Sequence, residues 1–128
     1  MNFRKHSNSF RESYIDTLGK LYEYSTRRYA KNRMSKIIDT EHEYTYEQFR
    51  RTCEMLSKRL TQFGIGASDK VAILAQNMPE WTVAFFSTVP FGRIAIPILP
   101  ESSANEVTNI LNHSESKVLF VSKKLLPN

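Results

Sequence analysis

The chain has 128 residues, 41% hydrophobic and 12% aromatic, which is enough for one packed domain and too apolar for a disordered chain. Its 18 Lys and Arg against 13 Asp and Glu give a net charge of +5, and 4 glycines with 5 prolines exclude a collagen-like or linker-rich chain. No apolar run approaches the ~20 residues that span a bilayer, the basic start MNFRKHSNSF lacks the apolar stretch of a secretory leader, and a lone cysteine, Cys53, forms no internal disulfide.

These features set the expectation of a reducing cytoplasm, with a peripheral place at a membrane left open. The charge is uneven. Residues 1–64 hold 13 basic and 8 acidic side chains, whereas residues 65–128 hold 5 of each. The densest basic cluster is Arg27, Arg28, Lys31, Arg33 and Lys36. No zinc-finger or other nucleic-acid signature accompanies it, so a solvated helix end is the reading and nucleic acid is not expected as a partner.

Residues 1–15 show no sustained period and read as a flexible arm, with a single α/β domain over 16–128. A helix is predicted from Asp16 or Thr17 to about Tyr29, with Leu18, Leu21, Tyr22, Ser25 and Tyr29 on one face. Lys31–Ser35 reads as a basic loop. Lys36–Asp39 and Glu43–Thr45 read as a small antiparallel hairpin.

Thr45-Tyr46-Glu47-Gln48 has the form of a capping box, opening a helix with an apolar stripe of Phe49, Cys53, Leu56, Leu60 and Phe63. Glu47 with Arg51 and Glu54 with Lys58 are spaced as i,i+4 pairs. Gly64 stands where a left-handed residue ends the helix. Cys53 lies on the stripe and reads as a packed thiol.

Val71–Ala75 is an uninterrupted apolar run, the mark of a strand buried on both faces. Asn77, Pro79 and Glu80 suggest another helix start with Asn77 as cap, and the apolar stretch Trp81–Phe91 should be interior, ending or kinking at Pro90. Ile94–Ile98 reads as a strand, with Pro97 requiring an edge, a bulge or a strand end. Ser103-Ala104-Asn105-Glu106 is another capping box, before a helix with Val107, Ile110 and Leu111. Val118–Val121 is the last strand. From residue 46 the order is helix, strand, helix, strand, helix, strand. The fold class is α/β: three layers, a mostly parallel sheet with helices on both faces, plus a small N-terminal hairpin.

The strand ends expected to carry chemistry are Ala75-Gln76-Asn77, Leu99-Pro100-Glu101 and Ser122-Lys123. None is followed by a glycine-rich phosphate cradle. His6, His42 and His113 are far apart and lack metal-ligand spacing. No catalytic, cofactor-binding or metal-ligating residue is assigned from the residues alone.

Three stretches read together resemble AMP-forming acyl-CoA synthetases. The run Gly64-Ile65-Gly66-Ala67-Ser68-Asp69-Lys70-Val71-Ala72-Ile73, followed by Asn77-Met78-Pro79-Glu80-Trp81, resembles that family's "G-(V/I)-x-x-G-D-x-V-A-I" and "N-x-P-E-W" progression. Thr45-Tyr46-Glu47-Gln48-Phe49 resembles its "Y-T-Y-x-E-L" helix start. Ile96–Ser103 and Ile110–Val118 resemble "P-I-x-P-T-S-S … I-L-x-x-S-E-A-K-V", in the version most like long-chain fatty acid–CoA ligases. The likeness is colinear over about residues 17–122. This sequence departs from the pattern at Ser68, where the family has glycine, at Glu101, where it has threonine, and at Phe91-Gly92-Arg93-Ile94, where A-G-A-V is common.

The resemblance implies an N-terminal part of a longer enzyme that adenylates a fatty acid with ATP and Mg²⁺ and passes the acyl group to CoA. The phosphate loop and later motifs of that family match no position here, so the chain alone is expected to be inactive. Asn77, Trp81 and Phe85 stand where they could border the acyl tunnel, with packing in the core as the favoured reading of all three. The expected partners are the remainder of the parent enzyme, its fatty acid, and further copies of the fragment through an edge strand or swapped arm. Two alternatives stand: another acid-activating adenylate-forming enzyme, or a free-standing basic interaction domain.

Overall fold

The structure is a computed structural model that describes residues 15–126. The arm expected over residues 1–15 lies outside the described residues except for Ile15. Helix α1 (Leu18–Arg28) starts where the Thr17 side chain accepts the Lys20 N–H at 3.1 Å. Its buried line is Tyr22 and Thr26, with Leu18 on the exposed side, so the packed face is rotated from the expected stripe. Thr26 is tolerated inside because its hydroxyl donates to the Tyr22 carbonyl at 2.7 Å.

The hairpin pairs β1 (Arg33–Lys36) with β2 (Glu43–Thr45), antiparallel, with a bulge between Arg33 and Ser35. Its first strand therefore lies three residues earlier than the sequence suggested, within the expected basic loop. Packing decides the shift. Met34 and Tyr44 reach the cluster of Tyr22, Phe49, Cys53 and Val83, while Ile38, in the turn, is 83% exposed.

Helix α2 (Tyr46–Gln62) opens with the full capping box: Gln48 N–H donates to Thr45 Oγ1 at 3.2 Å, and Gln48 Oε1 accepts the Thr45 N–H at 2.9 Å. Phe49, Cys53 and Leu60 are buried and Leu56 half-buried, but Phe63, past the last turn, is 77% exposed. Glu47 pairs with Arg51 as expected, whereas Glu54 pairs backwards with Arg50 at 2.8 Å instead of with Lys58. Gly64 follows with φ +80°, the left-handed turn that a side chain would strain.

Strands β3 (Lys70–Leu74), β4 (Ile94–Ile98) and β5 (Val118–Val121) form a sheet in the order β4-β3-β5, all parallel. Val71, Ala72, Ile73 and Leu74 are buried because β3 is central. Val71 packs with Leu60 and Ile65 below α2, while Ala72 and Leu74 pack with Val107, Ile110 and Leu111 of helix α4 (Ala104–Ser114). Successive residues of a strand face opposite ways, so α2 and α4 cover opposite faces and three layers result. Pro97 sits on edge strand β4, opposite Ile73.

Helix α3 (Pro79–Phe86) is capped by Met78, not by Asn77, because Pro79 occupies the first helical position and fixes the cap one residue before it. It also ends sooner than expected. The Ser87 and Thr88 hydroxyls both donate to the Ala84 carbonyl at 2.8 Å, and the chain tightens into a 3₁₀ turn over Val89–Phe91 that carries Pro90 and closes on Gly92 with φ +81°. The capping box at Ser103 and Glu106 forms as expected.

Candidate functional site

The carboxyl ends of β3, β4 and β5 lie on one rim, the place where parallel α/β sheets hold ligands. Two grooves open there. One, of about 490 Å³, is lined by Ala75, Gln76, Asn77, Trp81, Leu99, Pro100 and Glu101. The other, of about 390 Å³, lies between α2, α3 and β5, with Leu56, Trp81 and Phe120 in its wall. Trp81 and Ala75 line both, so the single tryptophan stands between the grooves. The rim is tied across by the Ser122 hydroxyl, 2.6 Å from Gln76 Oε1.

Of the residues singled out from the sequence, Asn77 and Trp81 are brought together in the first groove, Asn77 being exposed. Phe85 lines neither groove. It stands one helical turn behind Trp81, with its ring stacked on the indole at 5.4 Å and 11°, and so backs the indole.

In the sequence Glu80 signals only a helix start. In the structure one oxygen, Oε1, lies 2.5 Å from His42 Nε2 in the hairpin turn, while Oε2 is buried without a hydrogen-bond partner. The pKa of neighbouring Tyr44 is raised, first by the burial of its own phenol and then by the Glu80 charge. No sequence spacing signals this contact, because 38 residues separate the two partners.

Other candidate groups are accounted for structurally. Cys53 is fully buried, its Sγ 3.8 Å from the Val83 carbonyl, and burial pushes its pKa up to about 12, so it is held as a neutral thiol. In the basic cluster, Arg27 pairs with Glu23, Lys31 with Glu47 and Arg33 with Glu43, which offsets much of its field. His113 lies on α4, away from the His42 contact, and His6 is outside the described residues. Among the described residues no group of three or more His, Cys, Asp or Glu could hold a metal ion, and no helix is long and apolar enough to cross a membrane.

Arg93, which stands where the resembled pattern has a small residue, is 6% exposed. Its guanidinium donates to the Ile65 carbonyl at 3.0 Å, to Ser57 Oγ at 2.8 Å, to the Ser57 carbonyl at 3.2 Å and to Thr61 Oγ1 at 2.8 Å. It clamps the last turns of α2 to the start of β4, at the opposite end of the strands from the rim. Ser68, another of the departures, takes φ +65°, which explains why glycine suits that position.

Comparison with known proteins places this architecture. The family described as AMP-binding enzyme matches residues 24–128. A putative acyl-CoA synthetase of Bacillus subtilis, YngI, is 31% identical over 105 residues, covering 82% of this chain and 19% of that protein. A long-chain-fatty-acid–CoA ligase of Thermus thermophilus is 30% identical over 125 residues, covering 94% of this chain and 23% of its own length. Among solved structures, a Mycobacterium tuberculosis fatty acyl CoA synthetase superposes with a TM-score of 0.80 at 26% identity, over 90% of this chain and 23% of that one. The chain thus spans about a fifth of the length of the curated relatives it matches. With the parallel sheet, its ordered motifs and the family match all covering the same residues, the chain belongs to the AMP-binding enzyme family.

Proposed function

We propose that this chain is the N-terminal lobe of an ATP-dependent acid–CoA ligase acting on long-chain fatty acids, and that Asn77 and Trp81 border its acyl site with Phe85 backing the indole. The observation that carries the reading is the 94% of the chain aligned with the Thermus long-chain ligase. The half-apolar rim supports it: an indole and an exposed Leu99 offer an alkyl chain surface but no charge complement.

The residues described do not by themselves fit the cofactors of such a reaction. None of the four glycines follows a strand end as a phosphate cradle would, and among the described residues no three or more His, Cys, Asp or Glu side chains gather as a metal cluster. Family membership is what supports ATP, Mg²⁺ and CoA as the parent enzyme's cofactors, and the role proposed for this chain is to shape the acyl side. On its own it is expected to be inactive.

The single tryptophan supplies the test. In the longest product of the gene that keeps Trp81 as its sole tryptophan, with any others replaced by phenylalanine, palmitate is expected to shift and saturate the emission. Benzoate and free amino acids should leave it unmoved. Emission that responds to benzoate or an amino acid and not to palmitate would move the assignment to another acid-activating class.

A further inference from the structure

Helix α3 carries Trp81 to the rim, and its start is fixed differently from those of α2 and α4. Those two open with capping boxes made within four residues. The cap of α3, Met78, supplies no side-chain hydrogen bond. Pro79 and Val83, one turn apart, are buried and hold the helix along one line. A cavity of about 410 Å³ separates the first turn from the hairpin, with Ser35, Ile37 and Ile38 on one wall and Asn77, Met78 and Thr82 on the other. Asn77 lines both this cavity and the rim groove. Among the described residues one hydrogen bond joins the hairpin to α3: His42 Nε2 donates to Glu80 Oε1, the carboxylate being an acceptor only.

The imidazole is itself held in place. Its ring meets Tyr44 edge-on at 5.6 Å, and Tyr44 packs against the cluster of Tyr22, Phe49, Cys53 and Val83. Contacts therefore run from the core through Tyr44 and His42 to Glu80, the residue before Trp81. Two features mark the pair as a device of placement. Its side chains are 44% and 43% exposed, so it adds little to folding. Glu80 Oε2 lies buried without a partner, which lowers stability further.

We infer that His42 is a positioning residue for the acyl site: through Glu80 it sets the tilt of the first turn of α3, and with it where Asn77 and Trp81 stand. The inference rests on the reading of the rim as the acyl side. A pair this exposed biases such a placement by no more than about fivefold, which sets the size of the effect.

Acrylamide quenching of Trp81, the sole tryptophan of the 128-residue chain, reads the placement without any substrate. His42→Ala and Glu80→Ala should each raise the quenching with unchanged circular dichroism, the double variant should raise it no further, and His42→Gln, which still donates to the carboxylate, should restore it. Ser103→Ala, which loosens α4 instead, should leave it unmoved. In the longest product of the gene, His42→Ala should raise the KM for palmitate about two- to fivefold and leave kcat and the KM for ATP alone. Quenching and palmitate KM that ignore His42→Ala overturn the inference. So does a His42→Gln variant as impaired as alanine, or a Ser103→Ala variant that shifts the quenching equally. A longer product that does not take palmitate, with quenching that responds as expected, would fault the acyl reading alone and support the placement of Trp81 by His42.

Discussion

Substitution of Arg93 is expected to rank in an order that a simple loss of charge would not produce. The guanidinium is buried, makes four hydrogen bonds to α2 and the following turn, and has no carboxylate at ion-pair distance among the described residues. Burial lowers its pKa, and Asp69 partly offsets that from a distance. Desolvating an ion costs several kcal/mol, which the four charge-assisted bonds recover at about 1.5–3 kcal/mol each.

Arg93→Ala removes the bonds, leaves the Ile65 carbonyl and Ser57 Oγ short of partners at about 1–3 kcal/mol each, and opens a cavity where the aliphatic stem ran. Relief from the buried charge returns part of this, for a net loss of about 2–4 kcal/mol. Arg93→Met keeps the stem volume and removes the charge, so about 1–2 kcal/mol is expected. Arg93→Lys retains a buried charge with a point-like head that cannot span both sides of the fork, and should be at least as damaging as alanine. Urea unfolding followed by circular dichroism reads all three, and a cycle with Ser57→Ala should show about 1–3 kcal/mol of coupling. If lysine proves the mildest change, or coupling to Ser57 is absent, the clamp is not what holds α2 to β4.

Further outcomes follow from local features. Ser68→Gly should stabilise the chain by about 0.5–1 kcal/mol, read as a higher urea midpoint, because φ +65° costs serine what it does not cost glycine. Thr45→Ala and Ser103→Ala should each cost about 1 kcal/mol through loss of a capping box, and should add, since they cap different helices. Asp69 is held below the usual carboxylate range, first by its hydrogen bond to Lys117 and then by the Gly66 N–H. Its folded pKa being depressed, the stability it lends is present above its unfolded value of 3.8 and is lost as pH falls through the folded value. Asp69→Asn should flatten that acid limb in pH-dependent unfolding. Cys53 should react with a thiol reagent at pH 8 only as fast as the chain opens, and immediately in urea.

What the sequence disclosed and what it hid divide along physical lines. The run Val71–Leu74 shows a central strand because burial on both faces leaves no polar alternation, and Thr45 with Gln48 shows a helix start because the cap is made within four residues. The first hairpin strand is hidden from the sequence because Ile37 and Ile38 look like core to a local rule, whereas it is Met34 that meets the cluster of Tyr22 and Phe49, residues far along the sequence. Asn77 lost its cap to the stronger constraint of Pro79. At the rim, Trp81 and Phe85 are one helical turn apart and their stacking was within reach of spacing alone. The Glu80–His42 contact and the Arg93 clamp were not, since each joins residues whose distance in sequence carries no pattern.

ATP–pyrophosphate exchange tests most directly the proposal that this lobe belongs to an enzyme activating long-chain acids. The 128-residue chain should give no exchange with any acid, while the longest product of the gene should exchange strongly with palmitate and weakly with octanoate, benzoate or amino acids. Exchange by the 128-residue chain itself, or a longer product that activates benzoate or an amino acid and ignores palmitate, would contradict it.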